Sequence, residues 1–292
     1  MFLLLSETSL PWWLTVIYGI IEGITEFLPI SSTGHLLIAQ YFWGSQGEAF
    51  TVIIQAGAIL AVVFIYWKRL LDLVLNATKP DQLRYNLKLA LAFGVTAVCG
   101  LALKKMGWDL PETLLPVILS VAGGAVAIFI VDRPKAHHDR GDEEPSWNAA
   151  FWIGLAQVMA MVFPGLSRSG ATIIIAMLCG TRRTAATEFS FLVSIPTMFA
   201  ASAKEGYDAY QEDQFTGVGI FDLALGFVVS MIVAFVAVKW LLGFVRGHNF
   251  IPFAWYRVIL ALVLTIFLVT GVGHKGETPP VAPIPENSKL SP

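Results

Sequence analysis

Six continuous apolar segments constrain this chain more than any other feature of its sequence. They lie near residues 49–67, 85–103, 112–131, 186–203, 220–242 and 252–271. As a helix, each is long enough to cross a hydrocarbon core of about 30 Å. The composition agrees, since 56% of the 292 residues are hydrophobic and 14% are charged. The sequence therefore predicts an all-α integral membrane protein with six transmembrane helices.

Charge, cysteine content and the first residues narrow the class further. A formal net charge of −2 gives no indication of a nucleic-acid partner. Cys99 and Cys179 lie in apolar segments, which favours buried thiols over a disulfide or a metal pair. Residues 1–10 contain no Lys or Arg and no small-residue cleavage pattern, so we expect the first hydrophobic segment to be retained.

Two further apolar segments, 12–43 and 148–179, are interrupted by proline. The breaks fall at Pro29 and Pro164, each beside small hydroxyl residues and glycine. Irregular backbone at membrane depth is tolerated only where protein or a wet cavity satisfies its polar groups. Each segment is therefore predicted to form a re-entrant helix pair.

A weak internal repeat relates the two halves of the chain. The sequence GIIEGITEFLPISSTG at 19–34 aligns with GLAQVMAMVFPGLSRSG at 154–170. The alignment places Glu22 on Gln157 and superimposes the two prolines, with one residue inserted after the second. Each half then holds one re-entrant pair and three spans, and this odd number inverts the second half relative to the first. The sequence predicts an inverted repeat with a site near the midplane, where the broken helices meet.

The basic residues are unequally distributed between the loops. If both re-entrant pairs return to the side from which they enter, the loops at 68–88, 132–147, 180–185 and 239–249 share one side. These loops contain most of the lysines and arginines. The positive-inside rule predicts that they are cytoplasmic and that both termini lie on the outer side.

The repeat divides the chain into four consecutive parts. They are a first repeat at 1–134, a cytoplasmic loop at 135–147, a second repeat at 148–272 and a tail at 273–292. The tail is rich in proline and polar residues, so it is predicted to be disordered.

Glu22 and Glu26 form an unusual pair for an apolar helix. They are four residues apart, so their side chains share one face. Two carboxylates repel each other unless a divalent cation lies between them or one of them is protonated. A single glutamate can serve as a hydrogen-bonding group inside a bundle, but two on one face favour a functional site because ionisable groups in a membrane are costly.

Hydroxyl residues and an imidazole follow the first break. Ser31, Ser32 and Thr33 are typical of a helix cap and are also candidates for catalysis or phosphate binding. His35 lies three residues after Ser32 and so on the same side of a helix. There it could take a proton from a hydroxyl or a water, a role that capping does not explain.

The second break carries the sequence PGLSRSGAT at 164–172. Arg168 is a permanent cation deep in an apolar segment, too far from either end for easy snorkelling. A guanidinium binds phosphate in a bidentate manner, and a helix that begins beside it adds unpaired N–H groups. Ser167, Ser169 and Thr172 complete a candidate phosphate-binding set.

An inverted repeat would bring these groups into one pocket. Carboxylates, a histidine, an arginine and two helix starts suit a phosphate or diphosphate with a metal counter-ion, and apolar walls indicate a lipid carrier. Broken helices in an inverted repeat are also the plan of transporters, so a transporter or flippase of a lipid phosphate or other anion is the alternative. The Glu pair beside a Ser/His pair favours a hydrolase.

Three ordered motifs resemble a known family. They are EGITEFLPISSTGH at 22–35, PGLSRSGAT at 164–172 and EFSFLVSIP at 188–196. They resemble the signature regions of the BacA-type undecaprenyl-diphosphate phosphatases, the bacitracin resistance protein family, and the resemblance extends over roughly residues 12–272. It implies a hydrolase of the bacterial inner membrane that releases inorganic phosphate from undecaprenyl diphosphate and recycles the lipid carrier of peptidoglycan synthesis.

The resemblance also implies roles for individual residues. Glu22 and Glu26 fall on the acidic motif and are implied to hold a divalent cation, Mg²⁺ or Ca²⁺. The pocket is implied to open to the periplasm, with a polyprenyl diphosphate lipid and the bilayer as partners.

The predicted catalytic residues are Glu26, Ser32, His35 and Arg168. The nucleophile is left open between Ser32, deprotonated by His35, and a water held by the metal, with His35 or Glu26 as the base. The oligomeric state is left open as well, a homodimer included.

Overall fold

The structure, a computed structural model, describes residues 11–44, 46–107, 113–133, 141–212 and 219–270. Within these residues the chain forms eleven α-helices and no β-strand, which confirms the predicted all-α class. The helices are α1 (Trp12–Thr25), α2 (Ser32–Trp43), α3 (Glu48–Ile65), α4 (Trp67–Leu75), α5 (Pro80–Lys105), α6 (Leu114–Val131), α7 (Trp147–Val162), α8 (Arg168–Leu178), α9 (Arg183–Gln211), α10 (Ile220–Phe244) and α11 (Ile251–Val269). Residues 1–10, positions 135–140 of the predicted loop and the predicted tail lie outside the described residues.

Five of the described helices, α3, α5, α6, α10 and α11, are long and apolar enough to cross a membrane. They match five of the six predicted spans, so the protein is a multi-pass membrane protein. The sixth predicted span, 186–203, lies inside α9, which is not among the five. Ser190, Ser194 and Thr197 lower the hydropathy of α9, yet all three are buried because α9 packs against α3, α5 and α8. A helix enclosed by protein can carry polar groups that a lipid-facing helix cannot.

The interpretation of 68–88 as a loop is wrong over much of its length. Residues Trp67–Leu75 form α4, and α5 begins at Pro80, where proline suits the first turn of a helix. Helix α4 is amphipathic: Leu73 is buried, whereas charged residues such as Asp72 lie on its polar side. Its apolar face therefore makes a short helix stable where the charges alone indicate a loop.

The two interrupted segments form pairs of short helices, α1 with α2 and α7 with α8. The helices of each pair pack against each other. Helices of 11 to 16 residues are too short to cross the hydrocarbon core alone, since a span needs about 20 residues. The predicted interruptions at Pro29 and Pro164 are both present, because α1 and α7 end before these prolines and α2 and α8 begin after them.

A serine in an unusual backbone conformation precedes each second helix. Ser31 has φ 76° and Ser167 has φ 69°, and these are the only non-glycine residues with positive φ in the described part of the chain. Each serine Oγ accepts a hydrogen bond from a backbone N–H three residues later, that of Gly34 at 3.2 Å and that of Gly170 at 3.3 Å. A cap held in a strained conformation persists where its surroundings fix it. The same local structure thus occurs at both breaks.

Each broken pair is held by a long helix from the opposite half of the chain. A Cβ added to Gly23 of α1 would lie 2.7 Å from the carbonyl oxygen of Ser230 in α10. A Cβ added to Gly154 of α7 would lie 2.5 Å from the carbonyl oxygen of Ala92 in α5. Only glycine permits such close approach of two helices. The halves therefore interlock, with α1 on α10 and α7 on α5.

Ion pairs join several of the predicted cytoplasmic loops at one end of the helices, which we call the basic end. The pairs between loops are Arg182 with Glu143 at 3.0 Å and Lys88 with Glu144 at 3.3 Å, and Arg69 also pairs with Glu188, near the start of α9, at 3.4 Å. Most of these side chains are partly exposed, so each pair contributes little to stability by itself. Together they show that these loops lie side by side, as the charge pattern predicts.

Asp132 makes a stronger junction at the basic end. It is 0% exposed, and its carboxylate accepts hydrogen bonds from Arg183 Nη2 at 2.7 Å and from the backbone N–H of Phe250 at 2.6 Å. Because Asp132 follows α6, Arg183 begins α9 and Phe250 precedes α11, one carboxylate joins three helices.

Replacing Asp132 with asparagine is expected to destabilise the protein by about 3–5 kcal/mol, because it removes a buried carboxylate charge that directly contacts the buried guanidinium of Arg183. Thermal unfolding in detergent checks this through a lowered melting temperature. Glu143→Gln is the matched control, since the Glu143 side chain is 80% exposed and its ion pair is expected to contribute about 0–1 kcal/mol. Equal melting temperatures for the two variants would contradict the role given to Asp132.

Candidate active site

Glu26 is the residue at which the two broken helix pairs meet. It directly follows α1, and it is 8% exposed. Its Oε2 accepts a hydrogen bond from Ser32 Oγ at 2.7 Å, and its Oε1 accepts one from Arg168 Nη2 at 2.9 Å. Hydrogen bonds to an ionised partner at such distances are about twice as strong as neutral ones. One carboxylate thus joins a hydroxyl of the first pair to a guanidinium of the second.

Ser32 and Arg168 occupy the same place in their helices. Each is the first residue of its helix, α2 or α8, and each follows the positive-φ serine that caps it. The first turn of a helix has unpaired N–H groups and the positive end of the helix dipole. Two such starts beside one carboxylate create a region that favours anions, and phosphate groups are the anions most often bound in this way.

The other hydroxyls of the second break contact backbone carbonyls. Ser167 Oγ and Ser169 Oγ donate to the carbonyl oxygen of Leu28 at 3.4 Å and 3.1 Å. Thr172 Oγ1 donates to the carbonyl oxygen of Arg168 at 2.9 Å. Ser169 and Thr172 are buried. In this arrangement the predicted phosphate-binding hydroxyls fasten the second break to the first and stabilise the start of α8.

The two hydroxyl residues that flank Ser32 differ in exposure. Ser31 is 1% exposed, and its side chain caps α2. Thr33 is exposed on the first turn of α2. Of the hydroxyls predicted to bind phosphate, that of Thr33 is therefore free to reach a ligand without breaking a cap.

Glu22 lies one helical turn before Glu26 and is 1% exposed. Its Oε2 is buried and has no hydrogen-bond partner in the described part of the chain. An unpartnered buried carboxylate oxygen is costly unless a proton or a cation satisfies it. The described residues contain no cluster of three or more Asp, Glu, His or Cys side chains suited to a metal. Two carboxylates do fit a cation such as Mg²⁺, which is commonly held by one or two carboxylates together with water and substrate phosphates.

His35 faces α11 and not Ser32. Its Nδ1 lies 2.7 Å from the carbonyl oxygen of Ser31, and its Nε2 lies 2.7 Å from the hydroxyl of Tyr256. Because a carbonyl only accepts, Nδ1 is the donor, and in the neutral imidazole Nε2 then accepts from Tyr256. The two rings are also stacked, with centroids 5.5 Å apart. The hydroxyl proton of Ser32 is directed to Glu26, so the carboxylate is the base that this geometry offers to Ser32.

Gln157, which the repeat aligns with Glu22, is a structural residue. Its Nε2 donates to Thr96 Oγ1 at 2.9 Å, and its Oε1 accepts from Thr197 Oγ1 at 3.0 Å. All three side chains are buried. The amide thus ties α7 to α5 and α9 in a satisfied network, whereas Glu22 keeps an unpartnered oxygen. At this pair of aligned positions, the first repeat therefore has a carboxylate and the second has a structural amide.

An apolar wall closes one side of the site. The guanidinium carbon of Arg168 lies 5.6 Å from the ring centroid of Phe27, and this ring meets Phe191 edge to face at 5.4 Å. Both phenylalanines are 0% exposed. A dry wall strengthens the electrostatic interactions beside it, because the local dielectric is low.

Tyr256 and Arg257 were not among the residues selected from the sequence. Both lie on α11, inside the last predicted span. Arg257 is 0% exposed and donates to backbone carbonyls at both breaks. The signal was present, since an arginine in the middle of an apolar span is a functional candidate by the same reasoning that selected Arg168.

Comparison with known proteins relates most of the chain to one family. A family model described as "Bacitracin resistance protein BacA" matches residues 15–263. The match includes every residue of the candidate site.

Curated relatives match nearly the whole chain. A Rhizobium etli protein named undecaprenyl-diphosphatase is 49% identical over 257 residues, which cover 88% of this chain and 97% of the relative. Proteins of the same name from Xylella fastidiosa and Methylacidiphilum infernorum are 47% and 48% identical, and the matches cover 86% and 89% of this chain and 96% and 97% of the relatives.

Proposed function

The chain belongs to the bacitracin resistance protein BacA family, and from this membership we propose that it is a membrane phosphatase that hydrolyses undecaprenyl diphosphate to undecaprenyl phosphate and inorganic phosphate. The names of its relatives support the substrate and the reaction. The observation that carries the proposal is the position of Glu26, which contacts a hydroxyl and a guanidinium from the two broken helix pairs. This activity recycles the lipid carrier for peptidoglycan synthesis, and bacitracin resistance follows from it.

Arg168 is the primary phosphate-binding group in this proposal. Its guanidinium is the only cationic side chain in contact with Glu26 in the described part of the chain. A diphosphate competes with the carboxylate for this guanidinium and offers two oxygens to it. The backbone N–H groups at the starts of α2 and α8 add donors, and Thr33 offers an exposed hydroxyl. Arg168 then stabilises the charge that develops on the transferred phosphoryl group.

Ser32 is the proposed nucleophile, and Glu26 is the group that takes its proton. The Ser32 oxygen forms a bond to the terminal phosphorus, and the bond from that phosphorus to the bridging oxygen breaks. Undecaprenyl phosphate leaves, and its oxygen accepts the proton from Glu26. Water then hydrolyses the phosphoserine, which releases inorganic phosphate and restores the Ser32 hydroxyl. The 2.7 Å hydrogen bond between Ser32 and Glu26 supports this pairing.

Glu22 and Glu26 are the proposed holders of a divalent cation, Mg²⁺ or Ca²⁺. The unpartnered Oε2 of Glu22 supports this assignment. When bound, such a cation neutralises phosphate charge and helps to orient the diphosphate.

The proposed architecture is an inverted repeat of six spans and two re-entrant pairs, with α9 as the sixth span. The capping serines Ser31 and Ser167, in the same conformation, support the repeat. The reciprocal packing of α1 on α10 and α7 on α5 also supports it, since exchange of the halves converts one contact into the other. The concentration of lysine and arginine at the basic end supports a cytoplasmic location for that end of the molecule. The site and both termini then face the periplasm of the bacterial inner membrane.

Phosphate release from undecaprenyl diphosphate by the purified protein tests the proposed function. We expect release that depends on a divalent cation and stops when a chelator is added. Movement of a lipid phosphate across proteoliposomes without phosphate release would instead support the transporter alternative.

Ser32→Ala is expected to lower kcat by about 10³-fold or more, because it removes the nucleophile. The paired measurement is capture of a phosphorylated Ser32 by rapid acid quenching of the wild type, followed by mass spectrometry. Thr270→Ala is the matched control, since it removes an exposed hydroxyl at the end of α11 that contacts only the backbone of its own helix and is expected to keep kcat close to that of the wild type. Full activity in Ser32→Ala would show that Ser32 is not the nucleophile and would indicate direct attack by water.

A further inference from the structure

Arg257 is a buried cation whose acceptors are backbone carbonyls. Its Nε donates to Val121 at 3.0 Å, and its Nη2 donates to Ser120 at 3.0 Å, both in α6. The same Nη2 donates to Gly165 at 3.1 Å, and Nη1 donates to Pro29 at 3.5 Å. The side chain thus connects α11 to α6 and to the backbone of both breaks.

The two carbonyls at the breaks occupy equivalent positions. Pro29 lies two residues before Ser31, which caps α2, and Gly165 lies two residues before Ser167, which caps α8. The guanidinium of Arg257 therefore contacts each repeat at the same position, two residues before the serine that caps α2 or α8. A planar guanidinium with five N–H donors can do this, whereas an ammonium group cannot span the same acceptors.

No carboxylate pairs with Arg257 within the described residues, although the residue is 0% exposed. Its charge is compensated there by carbonyl dipoles. These dipoles stabilise the charge but do not cancel it as a carboxylate would, and a charge in a dry interior acts at longer range than an exposed one. The site beside the two breaks is consequently biased towards anionic ligands even before Arg168 is counted.

We propose that Arg257 is a positioning residue for the diphosphate: it fixes the starts of α2 and α8 at the separation at which Ser32 and Arg168 both reach Glu26, and it adds a buried positive charge behind them. The proposal rests on the proposed phosphatase function and deepens it. Ser32 and Arg168 belong to different halves of the chain, so their separation depends on a group that contacts both breaks. A displacement of about 1 Å at such a site can lower the rate by about 10²-fold.

Gly124 of α6 allows a test that leaves the charge of Arg257 unchanged. A Cβ added to Gly124 would lie 2.1 Å from Arg257 Nη2 and 2.6 Å from its Cζ, so alanine must displace the guanidinium. The adjacent Gly123 is the matched control, because a Cβ added there has no atom within 4 Å. Both variants place alanine in the same apolar helix.

The measurements are phosphate release from undecaprenyl diphosphate, inhibition by inorganic pyrophosphate and the melting temperature of the full-length protein in detergent. For Gly124→Ala we expect kcat, calculated per mole of folded protein, to fall by about 30- to 100-fold. This is the size of loss expected when a catalytic group is misplaced by about 1 Å. The inhibition constant for pyrophosphate should rise by about tenfold or more, the equivalent of one lost charge-assisted contact. Gly123→Ala should match the wild type in all three measurements.

A second pair of variants separates charge from position. Arg257→Lys retains a cation and should bind pyrophosphate more tightly than Arg257→Gln. The kcat of both variants should fall, because neither side chain can contact the backbone of both breaks. If Gly124→Ala lowers only the melting temperature and keeps the kcat and pyrophosphate inhibition of the wild type, Arg257 has a purely structural role and the inference is overturned. Failure of the wild type to release phosphate would instead overturn the proposed function, so the two failures are distinguishable.

Discussion

Replacing Glu26 with glutamine is expected to lower kcat for phosphate release by about 10³- to 10⁴-fold, the upper part of the range for loss of a general base. Glutamine keeps the length of the side chain but cannot take the proton of Ser32, which now hydrogen-bonds to the carboxylate at 2.7 Å. It also removes the negative charge that holds Arg168 at 2.9 Å. KM should change much less than kcat, because the freed guanidinium still binds phosphate.

Steady-state kinetics with undecaprenyl diphosphate measure both constants. Glu144→Gln is the matched control, since its carboxylate pairs with Lys88 at the basic end, and it should behave like the wild type. A decrease of less than tenfold in Glu26→Gln would show that another group takes the proton. Within the described residues, His35 would then be the next candidate for the general base. Tyr256→Phe would test this, because it removes the hydroxyl that hydrogen-bonds to His35 Nε2.

Replacing Arg168 with lysine is expected to lower kcat/KM by about 10²- to 10³-fold, comparable to the loss of one transition-state donor. Lysine keeps the charge but loses the planar pair of donors that matches two phosphate oxygens. It also loses the contact of the guanidinium with the ring of Phe27. We expect kcat to fall and KM to rise, because the contact between Arg168 and phosphate forms in the ground state and becomes stronger in the transition state.

Arg182→Lys provides the same substitution away from the site, because Arg182 pairs with a largely exposed Glu143 at the basic end. We expect its kcat/KM to stay within about twofold of the wild type, in line with the small contribution of surface pairs. If Arg168→Lys and Arg182→Lys were equally active, a simple positive charge would suffice at position 168, and the bidentate phosphate contact would be wrong.

The sequence predicted the parts of the fold that depend on local chemistry. Five of the six predicted spans correspond to helices long and apolar enough to cross a membrane. Both breaks occur where proline, serine and glycine adjoin, and the serine caps at Ser31 and Ser167 are bonds to residues only three positions away. The amphipathic helix α4 was missed because its charged residues, in a segment too short to span a membrane, were interpreted as part of a loop.

Most residues of the candidate site were also selected from their residue types. Costly groups in apolar segments selected Glu22, Glu26, His35 and Arg168. The same criterion applied to the last span would have selected Arg257. Helical spacing, however, gave His35 the wrong neighbour, because spacing defines a side of a helix and not the partner that occupies it.

The sequence by itself determined that the chain crosses a membrane, that two of its segments are broken and which side chains carry charge inside it. These features follow from the hydropathy and backbone preferences of neighbouring residues. The tertiary structure alone decided which groups meet: Glu26 with Arg168, 142 residues apart, His35 with Tyr256, 221 apart, and Arg257 with Pro29, 228 apart. Such pairings depend on how whole helices pack, and no local pattern encodes the distance between two side chains so far apart in the chain.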